Sequence, residues 1–420
     1  MFKRQLILKL FLILVIILSF SSTLLIGYAY WDTVVDTQEE NVSIGDWGIP
    51  ITTAQEFYNF AIRNNSLSED RYYLFNDIDF TGFTWNYDSS NYNIVFRGTL
   101  DGNGKTLSNL TLTHNSSSSS YNCFGIFPMI EGASIHNLTF LNINLVLGSS
   151  SLNGSFITAG LIAGNAIGGA NTISNITIIN AGIRGTSSAG TGGLIGSVTA
   201  SSTTVNIDNI KATNMKVFSK NSNVGGLVGY ISTSGAQVNV SDVDLQGEVF
   251  SYPSSSYTGG IIGSIINGGK TNIQRAIIQM TSRNTLETDG AYYNRYSQKY
   301  LGGFIGNNSS ASSNVLITDA FFTGSLFTQA NNIRYYIGTA VGNSGGAETL
   351  SRAYYALVEF RSSSGSIIYT PDRTPRGVMA TLVSASSLPI PSWWDTFATQ
   401  FYLANDLWSQ DSSGRLILSR

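Results

Sequence analysis

Apolar residues recur along this chain in one spacing: an apolar residue, a second three positions on, and a third two positions after that. The triplets are Leu107/Leu110/Leu112, Ile135/Leu138/Phe140, Ile173/Ile176/Ile178, Ile207/Ile210/Ala212, Val240/Val243/Leu245, Ile273/Ala276/Ile278, Ile317/Ala320/Phe322 and Leu350/Ala353/Tyr355. The step of two is that of a strand with one face turned inward. The step of three breaks the alternation, so a chain that keeps facing one core must turn a corner there. The residue just before the second apolar position is Asn109, Asn137, Asn175, Asn209, Asp242, Arg275, Asp319 or Arg352. Asn and Asp tolerate the left-handed backbone that such a corner wants. Each unit therefore predicts strand, corner, strand, turn, strand.

A second phrase alternates with the triplets: TGGLIGS from Thr191, NVGGLVGY from Asn223, TGGIIGS from Thr258 and LGGFIGN from Leu301. Aligned on the second small residue, the phrases fall at Gly125, Gly160, Gly193, Gly226, Gly260, Gly303 and Thr339, with steps of 35, 33, 33, 34, 43 and 36. A near-constant period of this size marks a stacked array. The expectation is an all-β solenoid of about eight coils, each burying its apolar residues against its neighbours. Glycine, with no Cβ, lets the chain bend and the coils approach closely. A phosphate-binding glycine loop would need a strand before it and a helix after it; strand patterns flank these phrases on both sides. GTLDGNGKT, Gly98 to Thr106, ends like a P-loop, but five residues separate Gly98 from Gly104 where that motif has four. Asp101 to Gly104 reads instead as a tight turn.

These phrases resemble the GLUG-type repeat of bacterial surface proteins, adhesins and some large secreted peptidases. The stretch ITTAQEFYNF…YYLFNDIDF…FRGTLDGNGKTLSNLTL, from Ile51 to Leu112, is similar to the N-terminal segment of right-handed parallel β-helices of that kind. The resemblance covers the chain to about Phe360 and implies a right-handed parallel β-helix. It is specific for fold and implies no single activity. Phe124 to Phe127 and Gly338 to Gly342 depart from the phrase, as end units do.

The ends carry their own patterns. Thr53 and Glu56 form a capping box, and Ala54, Phe57, Phe60 and Ala61 follow helical spacing, so a short helix to about Arg63 is expected to cap the first coil. Before it, Lys3 and Arg4 precede a run without charge from Leu10 to Tyr30. That run reads as a signal peptide or signal anchor over residues 1–30, with Gly27 and Ala29 before a cut; it is also long enough to span a bilayer. Residues 31–50 read as a linker. The stretch AYWDTVVDTQEENVSIGDW is similar to the region after the leader in exported biofilm-matrix-type proteins. The organisation expected beyond it is an N-terminal cap and first coil over 51–112, repeats over 113–360 and a C-terminal cap over 361–420. That last segment clusters four prolines with Trp393, Trp394, Phe397, Phe401 and Trp408, which suits a lid over the last coil.

Composition narrows the chemistry. The net charge is −3 and no basic patch appears, so nucleic acid is not expected as a partner. Cys123 stands alone, which removes intrachain disulfides and thiolate metal sites. His114 and His136 are the only histidines and no HExxH occurs, so a metallopeptidase site is excluded. A polysaccharide-cleaving β-helix would gather carboxylates on adjacent coils. The nearest such group is Asp208, Asp242 and Asp244. Yet Asp242, Arg275, Asp319 and Arg352 fall at one corner of four successive coils and read as an alternating charge ladder. One unit breaks the period: about ten extra residues before Gly303 carry Tyr292, Tyr293, Tyr296 and Tyr300. Insertions in solenoids map to loops, often on the binding face, so these tyrosines are the expected ligand contacts.

The expectation that follows is an exported, secreted or cell-surface, non-catalytic protein. It would need no cofactor or metal and would work in adhesion or matrix interaction with glycans or surface proteins. It would touch a membrane only through an uncleaved N-terminal segment. A carbohydrate-active enzyme and a structural spacer are the alternatives.

Overall fold

Each break in the apolar alternation is a backbone corner. Asn137, Asn175, Asn209, Asp242, Arg275, Asp319 and Arg352 have φ between 49° and 58°, the left-handed region that side chains other than glycine and Asn or Asp enter at a cost. The computed structural model describes residues 48–361 apart from 63–69, 87–93, 115–121, 148–156, 186–188, 220–222, 252–256, 285–299, 323–324, 329–335 and 356–358, and beyond them 381–382, 408–410 and 416–418. The N-terminal segment 1–30, nearly all of the linker and most of the C-terminal segment lie outside the described residues. Among the described residues no helix is long and apolar enough to cross a membrane.

The fold is a parallel β-solenoid. One coil consists of a short strand, Asn223–Gly225, a middle strand, Val228–Ile231, and a long strand, Gln237–Ser251. Stacked, these strands make a short sheet, a middle sheet and a long sheet, and every described pairing between coils is parallel. The corners put the apolar triplets inside. Ile207, Val240 and Ile273 are in register in one inward ladder, and Ile210, Val243 and Ala276 in the next. All six are at most 1% exposed.

Among the described residues all three sheets are represented in seven successive layers, about six turns where about eight were expected. The opening layer, with middle strand Val95–Phe96 and long strands Thr99–Ser108 and Thr111–His114, has no described strand in the short sheet, and its triplet sits on a different corner from the rest. Leu107 pairs with Phe140 and Leu112 with Leu145, so Leu107/Leu110/Leu112 does not match Ile135/Leu138/Phe140. The long strands turn twice. A second corner runs through Asn109, Asn142, Asn180 and Asn214, with φ of 54° to 57°. The same spacing is therefore written twice in each early coil, and Asn109 belongs to the second row. The first corner of that opening layer is made by Asp101 to Gly104, whose extra residues shift the register between His136 and Leu138. Asn103 and Gly104 take φ of 50° and 68° there, the tight turn that the sequence implied.

The glycine phrase is explained by three close approaches. A methyl group on Gly225 would fall 1.9 Å from the Val228 carbonyl oxygen of its own coil, because the chain doubles back between the short and middle strands. One on Gly226 would fall 1.9 Å from the Gly260 carbonyl oxygen of the next coil, and one on Gly229 would fall 2.4 Å from the Thr191 nitrogen of the coil before. Each distance is far inside contact, so no other residue fits. Gly160 pairs with Gly192 rather than with Gly193, so Gly125 and Gly160 belong to the first glycine row. In the second row the early coils have Ile126 and Leu161, both buried. The space left by the later glycines is filled from the long sheet: Met215 sulfur would lie 3.0 Å from a methyl on Gly193, and Met280 sulfur 3.0 Å from one on Gly226.

The helix Ala54–Ala61 buries Phe57, Phe60 and Ala61 against the first coils. Phe57 packs edge-on to Phe80 and Phe60 edge-on to Phe127. Thr53 is the N-cap, its hydroxyl accepting from the Glu56 amide. The reciprocal arm of the capping box is displaced by one residue: the Glu56 carboxylate takes the backbone N–H and hydroxyl of Thr52, at 2.7 and 2.6 Å. Those bonds hold its carboxyl below the usual carboxylate range. At the other end, Thr381–Leu382 extends the long sheet beyond Ala347–Tyr355. Trp408–Gln410 and Leu416–Leu418 pair antiparallel, and the latter lies against Gln237–Ser251. Asp244 on that long strand points away from the core yet is fully buried, as is Ile277 beside it.

Candidate binding surfaces on the outer flank

The expected charge ladder is present and accounts for several carboxylates. Arg275 donates from Nε and Nη2 to the two oxygens of Asp242, at 2.7 and 2.6 Å. Arg352 grips Asp319 in the same bidentate way. Hydrogen bonds from Arg275 to Asp242 push the guanidinium pKa up, against a smaller opposing effect of burial. Asp208, one coil earlier, accepts from the Ser241 hydroxyl. Cys123 is buried, and burial pushes its thiol up.

Of the four tyrosines singled out in the sequence, Tyr292, Tyr293 and Tyr296 lie outside the described residues. Tyr300 begins the short strand Tyr300–Gly302 and is in register with Tyr257. The two half-buried rings are 4.7 Å apart and tilted by 32°. Partial burial pushes the Tyr257 phenol up. A second stack, which the sequence reasoning missed, stands on the long sheet: Phe218 and Phe250 are 4.6 Å apart, and the Arg184 guanidinium sits 5.4 Å over the Phe218 ring. Both stacks border one edge of the solenoid, where the long strands end and the short strands begin. Ser251, next to Phe250, and Thr258, next to Tyr257, join hydroxyls at 2.9 Å across that edge. The signal for the second stack was available: Val217-Phe218-Ser219 and Val249-Phe250-Ser251 repeat one phrase, with valine inward and phenylalanine outward.

A third feature lies on the outer face of the long sheet before its first corner. Asn206, Asn239 and Asn272 occupy one outward row on successive coils, followed by Leu316 and Thr349. The Asn239 amide donates to Asn206 Oδ1 at 2.8 Å and its own oxygen accepts from Gln237 at 3.0 Å. Around Asn272, Lys270 and Leu316 the flank forms an open hollow of about 340 Å³. These outward asparagines are legible in sequence as Val-Asn-Ile, Val-Asn-Val and Thr-Asn-Ile, but nothing in one strand shows that three coils align them.

No protein-family model matches the chain, and no curated protein matches it. A solved structure, that of a "putative immunoglobulin A1 protease" from Bacteroides ovatus, is similar over 89% of this chain and 93% of its own, with a TM-score of 0.55 and 14% sequence identity. At that identity the likeness is one of fold: both are built as β-solenoids.

Proposed function

We propose that this chain is an exported β-solenoid of the GLUG-repeat kind that binds extracellular polysaccharide and catalyses nothing. The name given to the solved neighbour concerns that protein, and the likeness to it is one of fold. The observation that carries the reading is the aromatic edge. Tyr257 and Tyr300 stack half-buried, and Phe218 and Phe250 stack on the other side of the same edge. The half-buried rings of Tyr257, Tyr300 and Phe250 suit the flat C–H faces of sugar rings, with the phenol oxygens left for hydroxyls, and Phe218, 6% exposed, backs Phe250. A repeating polymer laid along the coils meets several weak contacts at once, which multiplies affinity. The non-catalytic part of the reading is supported by the use of the carboxylates: Asp242 and Asp319 are gripped by arginines and Asp208 by Ser241.

The test has two arms. The full-length protein in its native cell should be recovered from the surface or the medium; recovery in the cytosol would end the export part. Purified, it should be retained on a polysaccharide array. Replacing Tyr257 and Tyr300 by Ser should lower retention about tenfold, since stacked aromatics contribute about 0.5–1.5 kcal/mol each. Replacing Tyr292, Tyr293 and Tyr296 as well should lower it further. A fully substituted variant that keeps the parent's melting temperature and its retention would withdraw the aromatic edge as the site.

A further inference from the structure

The asparagine rows of this solenoid are amide ladders, in which each side-chain nitrogen donates to the oxygen of the coil before. Asn175 donates to Asn137, Asn209 to Asn175, Asn180 to Asn142 and Asn214 to Asn180, all between 2.6 and 3.1 Å. On the outer face of the long sheet the row Asn206–Asn239–Asn272 begins the same way. It then stops. The next coil presents Leu316 where an amide would continue the ladder. Asn272 Oδ1 is left enclosed and without a hydrogen-bond partner, a costly state for an acceptor. The interruption coincides with the hollow of about 340 Å³. Its lining is amide, hydroxyl and one ammonium, with Leu316, 38% exposed, as its apolar surface.

We propose that this hollow is a subsite for one sugar ring of a hydroxyl-rich glycan, which completes the interrupted ladder. The proposal rests on the polysaccharide reading above and assigns it a place away from the aromatic edge. The χ2 torsion of asparagine is soft, so a small turn presents Asn272 Oδ1 to the hollow, where a sugar O–H donates to it. Lys270, exposed and two residues earlier on the same strand, has its ammonium on the same face and donates to a second oxygen. Leu316, one coil on, meets a C–H face of the ring. A sugar hydroxyl both donates and accepts, which this mixed set of groups requires. The oxygen at Lys270 belongs to a hydroxyl in a neutral polymer and to a carboxylate in a uronate polymer.

The experiment measures binding of the full-length protein to cello-oligosaccharides and to oligogalacturonates by calorimetry, with the unfolding midpoint of every variant. Asn272→Leu joins Leu316 in an apolar row and removes an unsatisfied acceptor. It should keep or raise the midpoint while weakening binding about tenfold, the scale of one lost hydrogen bond to an enclosed group. Lys270→Gln should weaken the uronate much more than the neutral probe if the carboxylate is the natural partner, and both alike if a hydroxyl is. Overturning results are distinct. If the parent binds a probe and Asn272→Leu binds it equally well, the subsite falls and the polysaccharide reading stands. If Asn272→Leu lowers the midpoint along with binding, its role is structural and the subsite falls. If the parent binds neither probe, the polysaccharide reading falls and takes the subsite with it.

Discussion

One corner of this solenoid is built in two chemistries. In the earlier coils it is Asn137, Asn175 and Asn209; in the later ones it is Asp242, Arg275, Asp319 and Arg352. The backbone is the same in both, with φ near 50° throughout. What differs is how a coil recognises the next. An amide is donor and acceptor at once, so one residue type can extend the row without limit. A charge cannot stack on itself, so the later coils must alternate sign. Asparagine also enters the left-handed region cheaply, whereas a long side chain such as arginine bears about 1–2 kcal/mol there. The bidentate bond to Asp242, worth about 1.5–3 kcal/mol as a hydrogen bond to a charged group, offsets that cost. The second corner separates the two regions again. It runs through Asn142, Asn180 and Asn214, reaches Gly247 at φ 150°, and has no left-handed residue in the described later coils.

The comparison can be broken most severely at Asp242, whose side chain is 3% exposed beside Arg275. Asp242→Arg would set like charges against each other in an enclosed corner, and should cost about 3–5 kcal/mol in urea unfolding. Asn175→Ala attacks the amide region. It removes the bonds to Asn137 and from Asn209 and leaves alanine at φ 54°, for a loss of about 2–3 kcal/mol. That loss should not change with salt concentration. Converting Asp242 and Arg275 together to Asn should rebuild the amide ladder, keep stability within about 1 kcal/mol of the parent, and reduce the salt dependence of the melting temperature. Arg352→Ala should cost under about 1 kcal/mol, because the Arg352 side chain is 51% exposed.

The smallest effect concerns acid. Hydrogen bonds from the Asn109 amide first, then from Thr81, hold the Asp79 carboxyl below its ordinary value of 3.8. A carboxyl depressed in the fold contributes stability above its unfolded value and loses it as pH falls through its folded value. Asn109→Ala should therefore raise the Asp79 titration toward 3.8, seen by NMR, lower stability above that pH, and shrink the stability lost on acidification below it.

Much of this was legible in the chain. The inward ladders of Ile207, Val240 and Ile273, and of Ile210, Val243 and Ala276, follow from side-chain alternation, which is local. So does the left-handed corner beneath Asn209 and Asp242, and the charge ladder follows once the period is known. The first triplet was placed on the wrong corner because Phe140/Ile143/Leu145 has the same spacing as Ile135/Leu138/Phe140. A pattern written twice in each early coil cannot say which copy it is. The glycine rows slipped by one at Gly160 for a similar reason: Ala159-Gly160 reads like Gly192-Gly193 until pairing shows which residue faces which. For the candidate surfaces, Tyr300 was found from an insertion, but its partner Tyr257 lies a coil away.

The sequence by itself determined the strands, their inward faces, the residues at the corners and the need for glycine in the phrase, because sterics and alternation act over a few neighbouring residues. Only the tertiary structure decided the count of turns, the second corner, the stacking of Phe218 on Phe250 and the interruption of the amide row at Asn272. Those depend on which residue of one coil lies over which residue of the next. That register is set by the summed pairing of all three sheets, and a shift of one residue is invisible in the chain yet turns every side chain to the other face.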